Sequence, residues 1–164
     1  MDGSSMIERT LVLLKPDAVQ RGLMGEIISR FERVGLKVVG CKLSWIDREH
    51  SKQHYVAHIG KKFYKPLEDY IISGPVLAMV FEGVHAVENV RKIVGATEPF
   101  RAAPGTIRGD FAHVSMAHAD ATNKSVANLI HASGTKVEAD IEVKLWFNDN
   151  ELHSYKTVHE EHVF

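Results

Sequence analysis

The stretch Asn128 to Glu142, NLIHASGTKVEADIE, is where the chain turns from structure to chemistry. Apolar and small residues run into His131, two small residues follow, and Thr135 opens an amphipathic helix. The imidazole is therefore expected at a strand end facing a helix N-terminus, a favourable place for an anion. Thr135 and Glu138 have the spacing of a capping box, and Val137, Ile141 and Leu145 recur at i, i+4 and i+8 on one face expected to be buried. Glu138 and Glu142 share another face, from which one carboxylate can reach back and orient the ring of His131. Taken alone, the same stretch describes a core histidine with a satisfied hydrogen bond more often than a reactive one.

A rival chemistry lies upstream. His50, His54 and His58 recur at i, i+4 and i+8 in a helix capped by Asp47 and ended by Gly60, and three imidazoles on one face can present themselves to a transition metal. No carboxylate or cysteine completes a ligand set at short spacing, so a solvated polar face is the plainer reading. Cys41, the single cysteine, excludes an intrachain disulfide and reads as a small buried hydrophobe. The closing HEEHVF lacks the order of a zinc-protease helix, and Arg108-Gly109-Asp110 is too short a signal to imply cell adhesion.

Composition bounds what these residues serve. A chain of 164 residues that is 45% hydrophobic and 25% charged is sized for one soluble domain, and no apolar run is long enough to cross a bilayer. A formal net charge of -1 gives no global positive field, so no specific nucleic acid partner is expected, although local arginines can still bind a small polyanion. The N-terminal MDGSSM has an acid and no apolar stretch, so it resembles no targeting leader and implies a cytoplasmic protein.

The elements that must position the chemistry are mostly periodic. Arg9 to Leu14 reads as a buried strand stopped by Pro16, with Lys15 at its exit, either solvated or aimed into a cleft. Leu23, Ile27, Phe31 and Val34 form a helical stripe closed by Gly35. Leu36 to Trp45 reads as a strand with Val39, Cys41, Leu43 and Trp45 on one face. After the histidine-rich helix comes a second short helix, Phe63 to Ile71. Ser73-Gly74-Pro75 turns into the apolar strand VLAMVFEG, and Val84 to Val94 is a helix that leaves Arg91 outward. Ala96 to Asp110 reads as a long irregular loop carrying Thr97 and Arg108, the kind of loop that is often functional. Phe111 to Ala127 lacks clear periodicity. This order predicts an α+β domain of the ferredoxin-like βαββαβ type, a four-stranded antiparallel sheet covered by helices.

With those pieces laid out, LLKPDAVQRGLMGEII, SGPVLAMVFEG, PGTIRGDF, NLIHAS and LWF resemble, in content and order, the nucleoside diphosphate kinases. The resemblance runs from about Glu8 to Phe147. It implies a nucleotide-binding domain over residues 8–152, between a loose N-terminal tail, 1–7, and a C-terminal tail, 153–164. By the resemblance, His131 takes the γ-phosphate of ATP or another nucleoside triphosphate as a phosphohistidine and passes it to a nucleoside diphosphate. Ser133 and Glu142 support the ring, and Lys15 and Asn128 contact ribose and phosphate oxygens. His54 and Tyr55 lie at the phosphate end, and Phe63, with Leu67, receives the base. Arg91, Thr97 and Arg108 bind phosphate, and residues 96–110 form the nucleotide-binding loop. The family also implies Mg²⁺ carried by the nucleotide phosphates rather than by protein side chains, and a homo-hexamer or homo-tetramer.

Elementary chemistry is consistent with that family. Phosphoryl transfer needs in-line positioning and cancellation of charge, a neutral imidazole is a competent nucleophile, and a covalent intermediate gives ping-pong kinetics. Stacking reads a π-face, so base discrimination is expected to be low. The chain carries no GxxxxGK[ST], HRD or DFG motif, against P-loop and protein-kinase chemistry. It departs from the family pattern at Ala18, at Ala132 and Gly134 beside the histidine, and in an insertion of about ten residues within 111–127. These departures leave room for a catalytically weakened, regulatory relative.

Overall fold

Residues 6–163 are described in the computed structural model of the chain. The central strand β1 (Ile7–Leu14) explains the architecture, because Leu11, Val12, Leu13 and Leu14 are all fully buried. A strand apolar on both faces needs cover on both. Side chains alternate, so Val12 and Leu14 join one core with Ile27, Phe31 and Val90, while Leu11 and Leu13 join another with Ile71, Val143 and Trp146.

The first core is built by α1 (Pro16–Gln20), α2 (Met24–Glu32) and α5 (Ala86–Val94). The second is built by α3 (Arg48–His54), α4 (Tyr64–Ile71) and α8 (Lys136–Trp146). Between them the sheet runs β2 (Lys37–Ser44), β3 (Val76–Val84), β1, β4 (Ile130–Ala132), every pair antiparallel, which is the ferredoxin-like order. The short elements α6 (Ile107–Phe111), α7 (Met116–Ala121) and α9 (Glu160–Val163) complete the list. Among the described residues, no helix is long and apolar enough to cross a membrane.

Several local expectations are corrected. Val34 is 55% exposed, outside the stripe that Ile27 and Phe31 bury. In β2 a bulge between Val38 and Gly40 puts Val39 on the α8 side and moves Cys41 and Leu43 to the other, uncovered at this sheet edge. Cys41, Leu43 and Trp45 are consequently exposed, and Cys41 is no buried hydrophobe. Residues 96–110 are not all irregular: a 3-10 turn spans Pro99–Arg101, and Arg108 lies inside α6. Gly109 is required there, because a Cβ would sit 2.0 Å from the Ala103 carbonyl oxygen.

Where they are described, the segments flanking the domain are not simply loose. Ile7 is already in β1, while residues 1–5 lie outside the described part. Beyond α8 the chain returns along β2, where the His153 amide donates to the Val39 carbonyl that the bulge leaves free. Tyr155 donates to Val38, and Lys37 is bonded to both Glu82 and Glu160 at 2.9 Å. Gly40 makes room for this return, since a Cβ there would meet Leu152 at 2.8 Å.

Candidate active site

His131 is the middle residue of β4 and pairs with Leu13, so its ring shares the side of the sheet occupied by α3 and α8. Glu142, on the inward face of α8, places Oε2 3.0 Å from the His131 Nε2. The same oxygen accepts the Ser133 hydroxyl at 2.6 Å, and Ser133 Oγ in turn accepts the Leu11 amide. Burial alone would raise the Glu142 pKa, but the hydrogen bonds from His131 and Ser133 and the attraction of His131 outweigh it, and the carboxyl is held below its usual range. A carboxylate acceptor on Nε2 fixes that nitrogen as the N–H donor and leaves the lone pair on Nδ1.

This need explains why α8 is turned away from its expected face. With Glu142 facing inward, Ala139, Val143 and Trp146 are buried beside it, and Val137 and Ile141 are 69% and 63% exposed. Thr135 caps the helix by accepting from the Glu138 amide, but Glu138 reaches the Gly134 amide rather than closing the box on Thr135. It is Glu142, not Glu138, that holds the histidine.

Behind His131 lies His54, its ring edge-on at 4.5 Å, with Nδ1 accepting the Trp146 indole N–H. Burial, helped by the nearby His131 and Lys15, holds the His54 pKa well below its usual value, so the ring is neutral. The rival arrangement, three histidines along one face of one helix, does not form. His50 packs on Trp146, whereas His58 is in a 3-10 turn, Val56–His58, against Phe63. The cluster with metal-ligand spacing is instead His54, His131 and Glu142, whose ligand atoms lie within 4.8 Å of one another. His54 Nδ1 already accepts from Trp146 and Glu142 already accepts from His131, so the cluster reads as a hydrogen-bonded support.

In front of His131 opens a cavity of about 770 Å³, a size suited to a small-molecule ligand. Lys15, Arg91, Thr97, Arg108 and Asn128 line it near the strand ends, and Tyr55, Phe63 and Leu67 line it from the α3–α4 side. His54, Ser133 and Glu142 do not reach it. Lys15 donates to Asn128 Oδ1 at 2.7 Å, and Asn128 Nδ2 donates to the Thr97 carbonyl at 2.8 Å. Burial first, then Arg108, lowers the Lys15 pKa to about 7, against a smaller opposing pull from Asp17. Among the described residues, the buried Tyr55 hydroxyl has no hydrogen-bond partner.

Arg108, 7% exposed, donates to the carbonyls of Gly95, Asn128 and Ile130 at 3.2, 3.1 and 2.5 Å. It thereby fixes the approach to β4, where Leu129 sits at φ +70°, a strained conformation for a side-chain-bearing residue. Asp17 accepts the Leu129 amide and the Tyr70 hydroxyl, and the Lys15 amide donates to the Leu129 carbonyl. Sequence reasoning missed Asp17, Tyr70 and Trp146 in these roles. Asp17 had a signal, its place directly after Lys15-Pro16; the other two read only as packing residues.

Ala132 answers one doubt. Its methyl belongs to the core with Val12, on the opposite side of β4 from the His131 ring, and does not crowd the imidazole.

Fold and site together define a ferredoxin-like domain that presents a carboxylate-held histidine to a basic, nucleotide-sized cavity. Residues 8–152 match the family described as nucleoside diphosphate kinase. Proteins of that name from Pyrococcus furiosus and Borreliella burgdorferi are 54% and 44% identical over 149 and 156 residues. These matches span 91% and 92% of this chain and 88% and 93% of the relatives. A solved structure of the Borrelia burgdorferi enzyme, described as a transition-state mimic with bound vanadate and ADP, superposes with a TM-score of 0.93 at 42% identity, covering 97% of this chain and 98% of that one. A Halobacterium salinarum enzyme in complex with CDP gives 0.86 at 44% identity, covering 96% and 98%. The chain belongs to the nucleoside diphosphate kinase family.

Proposed function

We propose that this chain transfers the γ-phosphate of a nucleoside triphosphate to a nucleoside diphosphate through a phosphohistidine at His131. The observation that carries the reading is the Glu142–His131 pair, which leaves Nδ1 as the free lone pair on a ring that lines the cavity. The Nδ1 lone pair attacks the γ-phosphorus in line, and the bond to the bridging oxygen breaks. The nucleoside diphosphate leaves with that electron pair, and a second diphosphate reverses the step. Glu142 balances the positive charge that the ring gains. Arg91, Arg108, Lys15 and the unpaired Tyr55 hydroxyl cancel charge on the phosphate oxygens, Asn128 and Lys15 hold the ribose, and Phe63, 49% exposed, offers a stacking face for the base. The bound ADP and CDP of the two solved relatives support a nucleotide in this cavity.

Mg²⁺ belongs to this reading as part of the substrate, carried on the phosphates. The cavity is lined by Lys15, Lys62, Arg91, Arg108 and Lys124 against the carboxylates of Asp120 and Glu138, a poor oxygen cage for a hard cation. We further propose a cytoplasmic homo-oligomer, hexamer or tetramer. Exposed Leu43 and Trp45 at the β2 edge, and Val137 and Ile141 on α8, provide apolar surface for subunit contact. Incubation with γ-labelled ATP is expected to give acid-labile protein phosphate that is discharged by added nucleoside diphosphate. Protein that stays unlabelled while still binding nucleotide would instead favour a regulatory relative.

Lys15 supplies a pH signature. With its folded pKa near 7 and its unfolded value at 10.5, the unfolded chain binds more protons between those limits, so ligand-free stability should rise with pH through that window. A polyphosphate beside Lys15 favours the charged form. Nucleotide binding at about pH 8 should therefore take up close to one proton, and almost none at about pH 5. Calorimetric titration in buffers of different ionisation enthalpy measures this. Uptake that persists in Lys15→Met would assign the proton elsewhere.

A further inference from the structure

The segment inserted between α6 and β4 is docked in place. Ser115 caps α7 by accepting the His118 amide, Glu98 accepts the Met116 amide at 2.7 Å, and Ala119 is buried beneath the helix. The Lys124 amide donates back to the Ala119 carbonyl, closing the turn that Asn123 makes at φ +52°. Met116, Asp120 and Lys124 line the same cavity as Phe63 and His131. Among the described residues, the side chains of Asp120 and Lys124 make no hydrogen bond or ion pair with the protein, and both are exposed where they line the cavity.

Met116 and Asp120 are four residues apart and share one face of α7. The Asp120 carboxylate repels phosphate and the Met116 thioether offers it no donor, whereas Arg91, Arg108 and Lys15, which the proposed function assigns to the phosphates, line the cavity with His131. This face therefore belongs to the base. We propose that Asp120 and Lys124 read the pairing edge of the base and make this enzyme prefer guanine nucleotides, an inference that rests on the nucleotide occupying this cavity. The guanine edge offers two adjacent N–H donors, N1 and N2, which a carboxylate accepts together, and next to them the O6 acceptor, which an ammonium matches. Adenine reverses this pattern, with a ring nitrogen lone pair against the carboxylate and an amino group against the lysine. Uracil and thymine present a single N–H donor between two carbonyls and are half matched. Stacking on Phe63 cannot make these distinctions; a charged edge-reader can.

The test compares GDP and ADP as acceptors from one common donor in wild type, Asp120→Ala and Asp120→Asn, with folding checked by thermal melting. The wild type is expected to favour GDP by about tenfold or more in kcat/KM, chiefly through KM. Asp120→Ala lowers the ratio by about threefold or more, leaving the part that Lys124 reads, and the double variant Asp120→Ala/Lys124→Ala brings it to within about twofold of unity, the limit set by stacking alone. Asp120→Asn shifts preference towards ADP, since the carboxamide N–H can donate to the adenine ring nitrogen that a carboxylate repels. That reversal would not follow from a merely structural role. A wild type without guanine preference, or a ratio unchanged in both single variants, overturns the proposal. Phe63→Ala separates the two levels of argument. If it raises KM for all acceptors while the Asp120 variants leave the ratio unchanged, only the edge-reading is wrong; if it changes KM for none, the base is not in this cavity and both readings fall.

Discussion

His131→Gln is expected to abolish acid-labile labelling and to lower phosphoryl transfer on the order of ten-thousand-fold or more, the scale seen when an enzyme loses its covalent nucleophile. Glutamine is a demanding choice because its amide N–H can replace His131 Nε2 as the donor to Glu142, so the buried carboxylate keeps a partner. What it lacks is a nucleophilic lone pair at the place of Nδ1. Nucleotide affinity and the melting temperature should change little, since the phosphate cations and Phe63 are untouched. In the wild type, nitrogen-resolved phosphorus NMR should place the phosphoryl group on Nδ1. Label retained by His131→Gln, or a wild-type phosphoryl group on Nε2, would mean that the Glu142 contact does not define the nucleophile.

The fold was legible wherever the chain is periodic. Leu11 to Leu14 and the run Val76 to Phe81 are continuous apolar strands, and no solvent-facing element has that pattern. Reading failed where two demands compete for one element. In α8 the apolar stripe Val137, Ile141 and Leu145 would be buried by hydrophobicity alone, yet the helix is rotated because Glu142 must face His131 and Ser133. In β2 the single extra residue of a bulge sends Cys41 and Leu43 to the opposite face from Val39. No composition signal marks that slip.

The candidate site shows the same division. His131, Lys15 and Arg108 stood out because a histidine, a lysine and an arginine beside short Gly- and Pro-rich segments suggest anion chemistry, whereas the role of Asn128 came only from the family resemblance. The backing they need did not stand out. Trp146 reads as packing until its indole N–H is found on His54, and Asp17 reads as a turn residue until it accepts the Leu129 amide. Residues 111–127 lacked periodicity because α7 is short and held by side-chain caps, Ser115 and Glu98, rather than by a long amphipathic face.

Arg108→Met is expected to cost about 3–5 kcal/mol of folding stability, the scale for removing one partner of a buried charged network. Its guanidinium satisfies the carbonyls of Gly95, Asn128 and Ile130 at once, and methionine fills the volume while donating to none. Among the described residues, Asp17 and the Lys15 amide are what else holds the left-handed Leu129, so the approach to His131 loosens with the loss. The cation matters separately. Burial first, and then Arg91, lowers the Arg108 pKa to about 10, so the group stays charged at neutral pH in the cavity wall, where the proposed function puts the phosphates. Under conditions where the variant remains folded, transfer should still fall on the order of a thousand-fold, as when an arginine that stabilises a transferring phosphoryl group is removed. Arg108→Lys separates the two effects: a single ammonium keeps the charge but cannot span three carbonyls, so it should recover part of the rate and little of the stability. Urea unfolding together with steady-state rates measures both quantities on the same samples. Wild-type stability in Arg108→Met would show that the three carbonyl bonds contribute nothing to folding, whereas equal losses in the two variants would show that geometry, and not charge, is what Arg108 brings to the phosphate.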